Sequence, residues 1–256
     1  GFDYISPFNE PDGNATTQIR WTPTEILNFI KNNAPIIGKP IIMPEASSFN
    51  DSYSDPVLND ATARNNVSIV AGHFYGNGNR VHQNALDRGK RVWQTEHFIA
   101  NSQTNIGAAM AFAKEVSDAM NNKFSAYCWW WVRDAATDGS NLVNNTGAIY
   151  KNGYVLGQFA KWVRPGKVRI ASTYNPTSNV YVTAYRNNGI VIVAVNTGSS
   201  SVNQAFTLQN ITGLNSFKVN RTSSSENMAA KANITVANNS FTYTLPAQSV
   251  TTFHQY

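Results

Sequence analysis

The chain has 256 residues with a hydrophobic fraction of 42%, enough core material for one large domain or two smaller ones. Its net charge of +5 is spread without a basic run, which argues against a nucleic-acid partner, and no apolar stretch reaches the roughly 18 residues that a membrane span needs. Only 14% of the residues are charged, well below the usual quarter; Asn, Ser, Thr and Gly fill the surface instead, which points to a secreted protein.

Residues 2–8 read as a strand, with Tyr4, Ile5 and Phe8 as strand formers. Asn9-Glu10-Pro11 stops it, because Pro11 cannot donate to a ladder. Gly1-Phe-Asp-Tyr4 enters this strand with no signal peptide before it, so a preceding segment is expected. Thr22-Pro-Thr-Glu25 predicts a helix start with a capping box. Ile26, Leu27, Phe29 and Ile30 form its apolar stripe, and Pro35 its end. A strand follows at 41–46 with Glu45 near its end, a short helix at 59–66, and a strand at 68–75 that ends at Gly76-Asn-Gly78. A helix is expected at 81–88, capped by Gly89, then a strand at 91–95, a helix at 105–120, a strand at 124–132 and a helix at 154–163. Strands alternating with helices predict a parallel sheet. Five strands are legible here, where a closed (β/α) barrel needs eight.

Arg164-Pro165-Gly166 breaks this pattern. Short β-type runs follow at 168–172, 180–186, 190–196, 201–208, 216–223, 234–236, 240–245 and 249–254, with Asn187-Asn-Gly189 as a hairpin signal. The expectation is a partial (β/α)8 catalytic barrel over 1–165 and an antiparallel β-sandwich over 166–256. Cys128, inside Ala126-Tyr-Cys-Trp-Trp-Trp-Val132, is expected to be a buried small hydrophobe. A single cysteine builds neither a disulfide framework nor a cysteine zinc site.

Glu10 and Glu96 each close a strand-like run, where a barrel enzyme carries its chemistry. Two such carboxyl groups suit glycosidic hydrolysis, one protonating the leaving oxygen and the other attacking the sugar at a separation of about 5–5.5 Å. Asn9 can hold a sugar hydroxyl or simply form a turn. Glu45, in Met43-Pro-Glu45, fits a supporting or surface role better than a catalytic one. His73 and Tyr75 share one strand face, which reaches the nucleophile if it opens on the barrel mouth; a buried, satisfied His is the alternative. Trp129, Trp130 and Trp131 offer flat platforms for sugar rings, with at least one turned into the core. The four histidines show no HExxH spacing, and there is no GxSxG elbow or P-loop, so no metal and no cofactor is expected.

Ile5-Ser-Pro-Phe-Asn-Glu-Pro-Asp12, Gly72-His-Phe-Tyr-Gly76, Gln94-Thr-Glu96, Ala126-Tyr-Cys-Trp-Trp-Trp-Val-Arg133 and Leu245-Pro-Ala-Gln-Ser-Val-Thr-Thr-Phe253 together resemble the glycoside hydrolase family 30 xylanases, in particular the bacterial glucuronoxylanase type. The resemblance implies a retaining endo-β-1,4-xylanase with a (β/α)8 barrel and a β-sandwich side domain, acting on xylan. It implies that Glu10 is the acid/base and Glu96 the nucleophile. Tyr75 and Trp130 match positions beside the cleaved sugar, and Asn9 and His73 complete the expected substrate-binding set. The Glu10 strand matches the family's fourth, so the first three have no counterpart here. The rest of the barrel is expected from a missing N-terminal half or a second chain. Glucuronate-dependent members carry a second Arg where this chain reads Val132-Arg-Asp134, and tyrosines where it reads His97-Phe-Ile99. A carboxylate at Asp134 repels a glucuronate, so independence of glucuronate side groups is expected. Another family 30 specificity (a β-1,6-glucanase or a glucosylceramidase-like activity) and a non-catalytic carbohydrate-binding fragment are the other readings.

Overall fold

A computed structural model describes residues 1–13, 18–133 and 139–256. The chain divides into two compact units, Gly1–Phe98 with Asp118–Trp130 and Ile99–Ser117 with Trp131–Tyr256.

In the first unit the strands β1 (Ile41–Ala46), β2 (Val67–His73), β3 (Arg91–Glu96) and β4 (Ala126–Tyr127) pair in that order as a parallel sheet. The helices α1 (Pro23–Asn32), α2 (Ala34–Ile37), α3 (Asp51–Asn59), α4 (Ala61–Asn65) and α5 (Gln83–Asp87) precede or link the strands, since parallel neighbours need crossovers. The capping box forms as expected. Thr22 Oγ1 accepts from the Glu25 N–H, and the Glu25 carboxylate accepts from the Thr22 N–H at 2.7 Å. Pro35 does not end a helix but sits in the first turn of α2, where its missing N–H removes no bond. Helix α3 was hidden by poor helix formers and Pro56. Asn50 holds its start by accepting from the Ser52 N–H at 3.0 Å.

Strand residues alternate between two buried faces. Ile41, Met43, Val70 and Val92 join Ile26, Ile30, Leu58 and Phe124 in one core. Ile42, Ile69 and Ala71 face the other way, with Tyr4 and Trp93 packed on them. Burial on both faces is what a parallel sheet requires. The strand expected at 2–8 is reduced to a bridge from Ile5 to Ile41, with the Ile42 N–H donating to the Ile5 carbonyl at 2.9 Å. The strand expected at 124–132 pairs only over Ala126–Tyr127. Cys128 is exposed and is not the buried hydrophobe expected: the ladder ends at Tyr127, and Trp129 takes the buried position.

Helix α6 (Ile106–Asn121) shows the expected helical spacing, with Ile106, Ala109, Met110, Phe112, Ala113 and Val116 buried. The second unit carries α7 (Lys151–Ala160) and the strands β5 (Val168–Ile170), β6 (Val180–Arg186), β7 (Val191–Asn196), β8 (Val202–Thr207), β9 (Ser216–Thr222), β10 (Ala229–Thr235), β11 (Ser240–Leu245) and β12 (Ser249–His254). Six form an antiparallel sheet in the order β10-β9-β12-β7-β6-β5, and β11 pairs with β8. Asn187, Asn188 and Gly189 turn between β6 and β7 with φ of +89°, +51° and +83°, the region these residues tolerate best. Val182, Ile192, Phe217 and Phe253 share a core with Phe206, Phe241 and Leu245. Helix α7 lies on the sheet through Gln158, which donates to Thr222 Oγ1 and accepts from Thr252 Oγ1, both at 2.8 Å.

Glu226 ties β9 to β10. It accepts from Arg221 Nη2 at 2.7 Å, Lys231 Nζ at 2.8 Å and Ser223 Oγ at 2.9 Å. The Arg221 guanidinium holds its carboxyl down at about 2. A carboxyl whose folded value lies below its unfolded one stabilises the fold above the unfolded value, and that stability is lost as pH falls through the folded value. Glu226→Gln is expected to cost about 1 kcal/mol near neutral pH once solvent screening is allowed for. Melting curves of both proteins should converge as pH falls from about 4.5 toward 2. A gap that stays constant over that range contradicts this.

Candidate active site

The ends of β1, β2 and β3 are irregular where the carboxylates sit. The β1–β2 ladder shifts register between Pro44 and Ala46, and the β2–β3 ladder between Gly72 and His73. Glu45 lies in the first shift with a φ of +60°, and Glu10 has a φ of +44°. Both are left-handed positions that cost a residue with a Cβ on the order of 1–3 kcal/mol. Ile41 and Met43 face the helices, so simple alternation would send Glu45 there as well. The register shift instead turns it to the face of Ile69, Ala71 and Trp93, where it meets His73 and Thr95. Backbone bonds hold these ends together. The Glu10 N–H donates to the Glu45 carbonyl at 2.9 Å, the Phe74 N–H to the Glu96 carbonyl at 3.2 Å, and the Tyr75 N–H to the Ser47 carbonyl at 3.0 Å.

His73, only 2% exposed, is at the centre. Its Nδ1 lies 3.0 Å from Glu10 Oε1 and 3.7 Å from Glu96 Oε1, and its Nε2 lies 3.7 Å from Glu45 Oε2. The Tyr75 hydroxyl donates to Glu96 Oε1 at 3.0 Å. The Gln18 amide donates to Glu10 Oε2. Phe74, between His73 and Tyr75, turns the other way and packs edge-on against Phe124 at 5.1 Å. The donor atoms of Glu10, His73 and Glu96 all lie within 4.8 Å of one another. That bounds the gap between the two facing carboxylate oxygens. A cation site can share this spacing, and so can a pair of carboxylates that divide proton transfer and attack between them.

Glu45 is a third carboxyl at the site and is 5% exposed. Ser6 Oγ donates to its Oε1 at 2.8 Å, and Thr95 Oγ1 donates to its Oε2. Burial pushes its carboxyl up from the ordinary value, with the two hydroxyls and His73 pulling the other way. Asn9 is exposed beside Glu10. Trp130 is half-buried, and its backbone N–H donates to the His97 carbonyl at 3.0 Å. The structure thus gathers Glu10, His73, Tyr75 and Glu96, and adds Glu45, Ser6, Thr95 and Gln18. Of the added residues, only Glu45 carried a sequence signal, its place at a strand end. Asp134, on which the glucuronate expectation turns, lies outside the described residues.

No protein-family model matches the chain. Over 97% of its length it is 42% identical to glucuronoxylanase XynC of Bacillus subtilis (strain 168), and it covers 60% of that protein. It superposes on a family 30 endoxylanase from Clostridium papyrosolvens C71 with a TM-score of 0.91 at 44% identity, covering 98% of this chain and 65% of that one. On Xyn30A, a family 30 subfamily 8 xylanase from Clostridium acetobutylicum, the TM-score is 0.92 at 40% identity, with the same coverage. The chain therefore spans under two thirds of the length of these relatives. Its parallel sheet and helices are part of a (β/α)8 barrel, and its antiparallel sheets belong to a β side domain. Along almost its whole length the chain is similar to part of these glycoside hydrolase family 30 enzymes.

Proposed function

We propose that the protein containing this chain is a retaining endo-β-1,4-xylanase. The observation that carries this reading is the closeness of Glu10 and Glu96, whose facing oxygens lie within 4.8 Å. Inverting enzymes hold their carboxyl groups about 6.5–9.5 Å apart to seat a water molecule, whereas a retaining pair sits at about 5–5.5 Å. Glu10 protonates the oxygen of the leaving sugar while Glu96 attacks the anomeric carbon, so the glycosidic bond breaks as an ester to Glu96 forms. Glu10, now ionised, takes a proton from water; the hydroxyl oxygen bonds to the sugar and Glu96 leaves as a carboxylate. Tyr75 occupies one oxygen of Glu96 and leaves the other for attack. Asn9 binds the sugar beside Glu10, and Tyr75 and Trp130 flank it.

Xylan as the substrate is supported by the names of the relatives, a glucuronoxylanase and two xylanases. On this reading residues 1–165 are the catalytic part and 166–256 the side domain, and the remaining barrel strands come from a preceding segment or a second chain. An extracellular place of action is supported by the sparse charge and the polymeric substrate. Independence of glucuronate side groups is supported by Asp134 and by His97-Phe-Ile99.

In the full-length protein, Glu96→Gln is expected to lose at least about a thousandfold in kcat on xylan. A loss under about tenfold overturns the nucleophile role. Proton NMR of the first products should show the β-anomer before mutarotation; the α-anomer appearing first overturns retention. Rates on glucuronoxylan and on linear or arabinosylated xylan should agree within about threefold. A strong preference for glucuronoxylan overturns the independence.

A further inference from the structure

We propose that Glu45 is a positioning residue of this site, a buried carboxyl that acts through the ring of His73 to keep Glu10 protonated until the sugar bond breaks. The proposal rests on the reading of Glu10 as acid/base. Glu45 does not reach the sugar side itself. It meets His73 from the opposite edge of the imidazole, with Oε2 3.7 Å from Nε2, while Nδ1 on the near edge lies 3.0 Å from Glu10. The Ser6 and Thr95 hydroxyls both donate to Glu45, so it stands at this contact as an acceptor.

Glu45 Oε2, at 3.7 Å too far for a hydrogen bond, favours the imidazole proton on Nε2 through its charge. Nδ1 then presents a lone pair to Glu10, and the 3.0 Å contact is a hydrogen bond only when Glu10 carries the proton. That is the state a general acid needs before the bond breaks. In the other state the Glu10 proton sits on Nδ1 and the Nε2 proton on Glu45. No proton enters or leaves, and the total charge is the same. Among the described residues, the groups that face His73 are Glu10 after the Ile5 bridge, Glu45 on β1, Glu96 on β3 and Tyr75 after β2, its ring 6.0 Å away.

The test is Glu45→Gln in the full-length protein, assayed on a linear xylo-oligosaccharide and on a dinitrophenyl β-xylobioside. The first needs its leaving oxygen protonated, and the second departs without a proton. The expected result is a fall of at least about tenfold in kcat/KM on the oligosaccharide, under about threefold on the aryl substrate, and a shifted pH profile on the oligosaccharide. Equal losses on both with an unshifted profile, or no loss, overturn the proposal. Should Glu45→Gln fail to fold by thermal melting, Thr95→Val removes one hydroxyl from Glu45 and leaves His73 in place. Its pH profile should then move by at least about half a unit, and an unmoved profile overturns the proposal. Glu10→Gln, run in parallel, must show the same leaving-group dependence. If it does not, the acid/base assignment has failed, which is a separate result.

Discussion

The imidazole of His73 lies almost out of water between three carboxyl groups, and the first unit is organised by what that contact requires. Carboxylates this close repel one another, and buried ones lose hydration, so each needs a donor or a proton. Tyr75 serves Glu96, Gln18 serves Glu10, Ser6 and Thr95 serve Glu45, and His73 touches all three. Residues so far apart along the chain meet because parallel strands end on one side of their sheet. The helices in between supply the crossovers, and the core around Ile26, Leu58, Val70 and Phe124 fixes the strands beneath the site.

Much of this was legible where the signal is local. The capping box of Thr22 and Glu25 needs only neighbouring residues, and it formed as read. So did the Asn187-Asn-Gly189 turn, whose residue types match its backbone. Signals that depend on distant pairing were not legible. The run at 2–8 has strand formers but only Ile41 to pair with, so it makes a single bridge. Strand β10 begins at Ala229 in a stretch of alanines with no strand signature; pairing with β9 makes it a strand.

The site shows the same division. Glu10, His73, Tyr75 and Glu96 stood out because strand ends and alternation are visible in a sequence. The inward turn of Glu45 was not visible. Period-two alternation places it with Ile41 and Met43, toward the helices. Only the register shift after Pro44 and a left-handed backbone put it beside His73, and neither leaves a mark in the residue types. The proposed action on xylan leans on family likeness, whereas the proposed retention and the proposed role of Glu45 lean on geometry.

The left-handed backbone at Glu10 and Glu45 also bears on stability. Both residues sit in conformations their own side chains disfavour, held by bonds such as that from the Glu10 N–H to the Glu45 carbonyl. Strain of this kind persists only while the surrounding bonds and packing impose it. A change that tightens the cores therefore need not tighten the strand ends that carry the carboxylates, and a change at those bonds need not alter the cores.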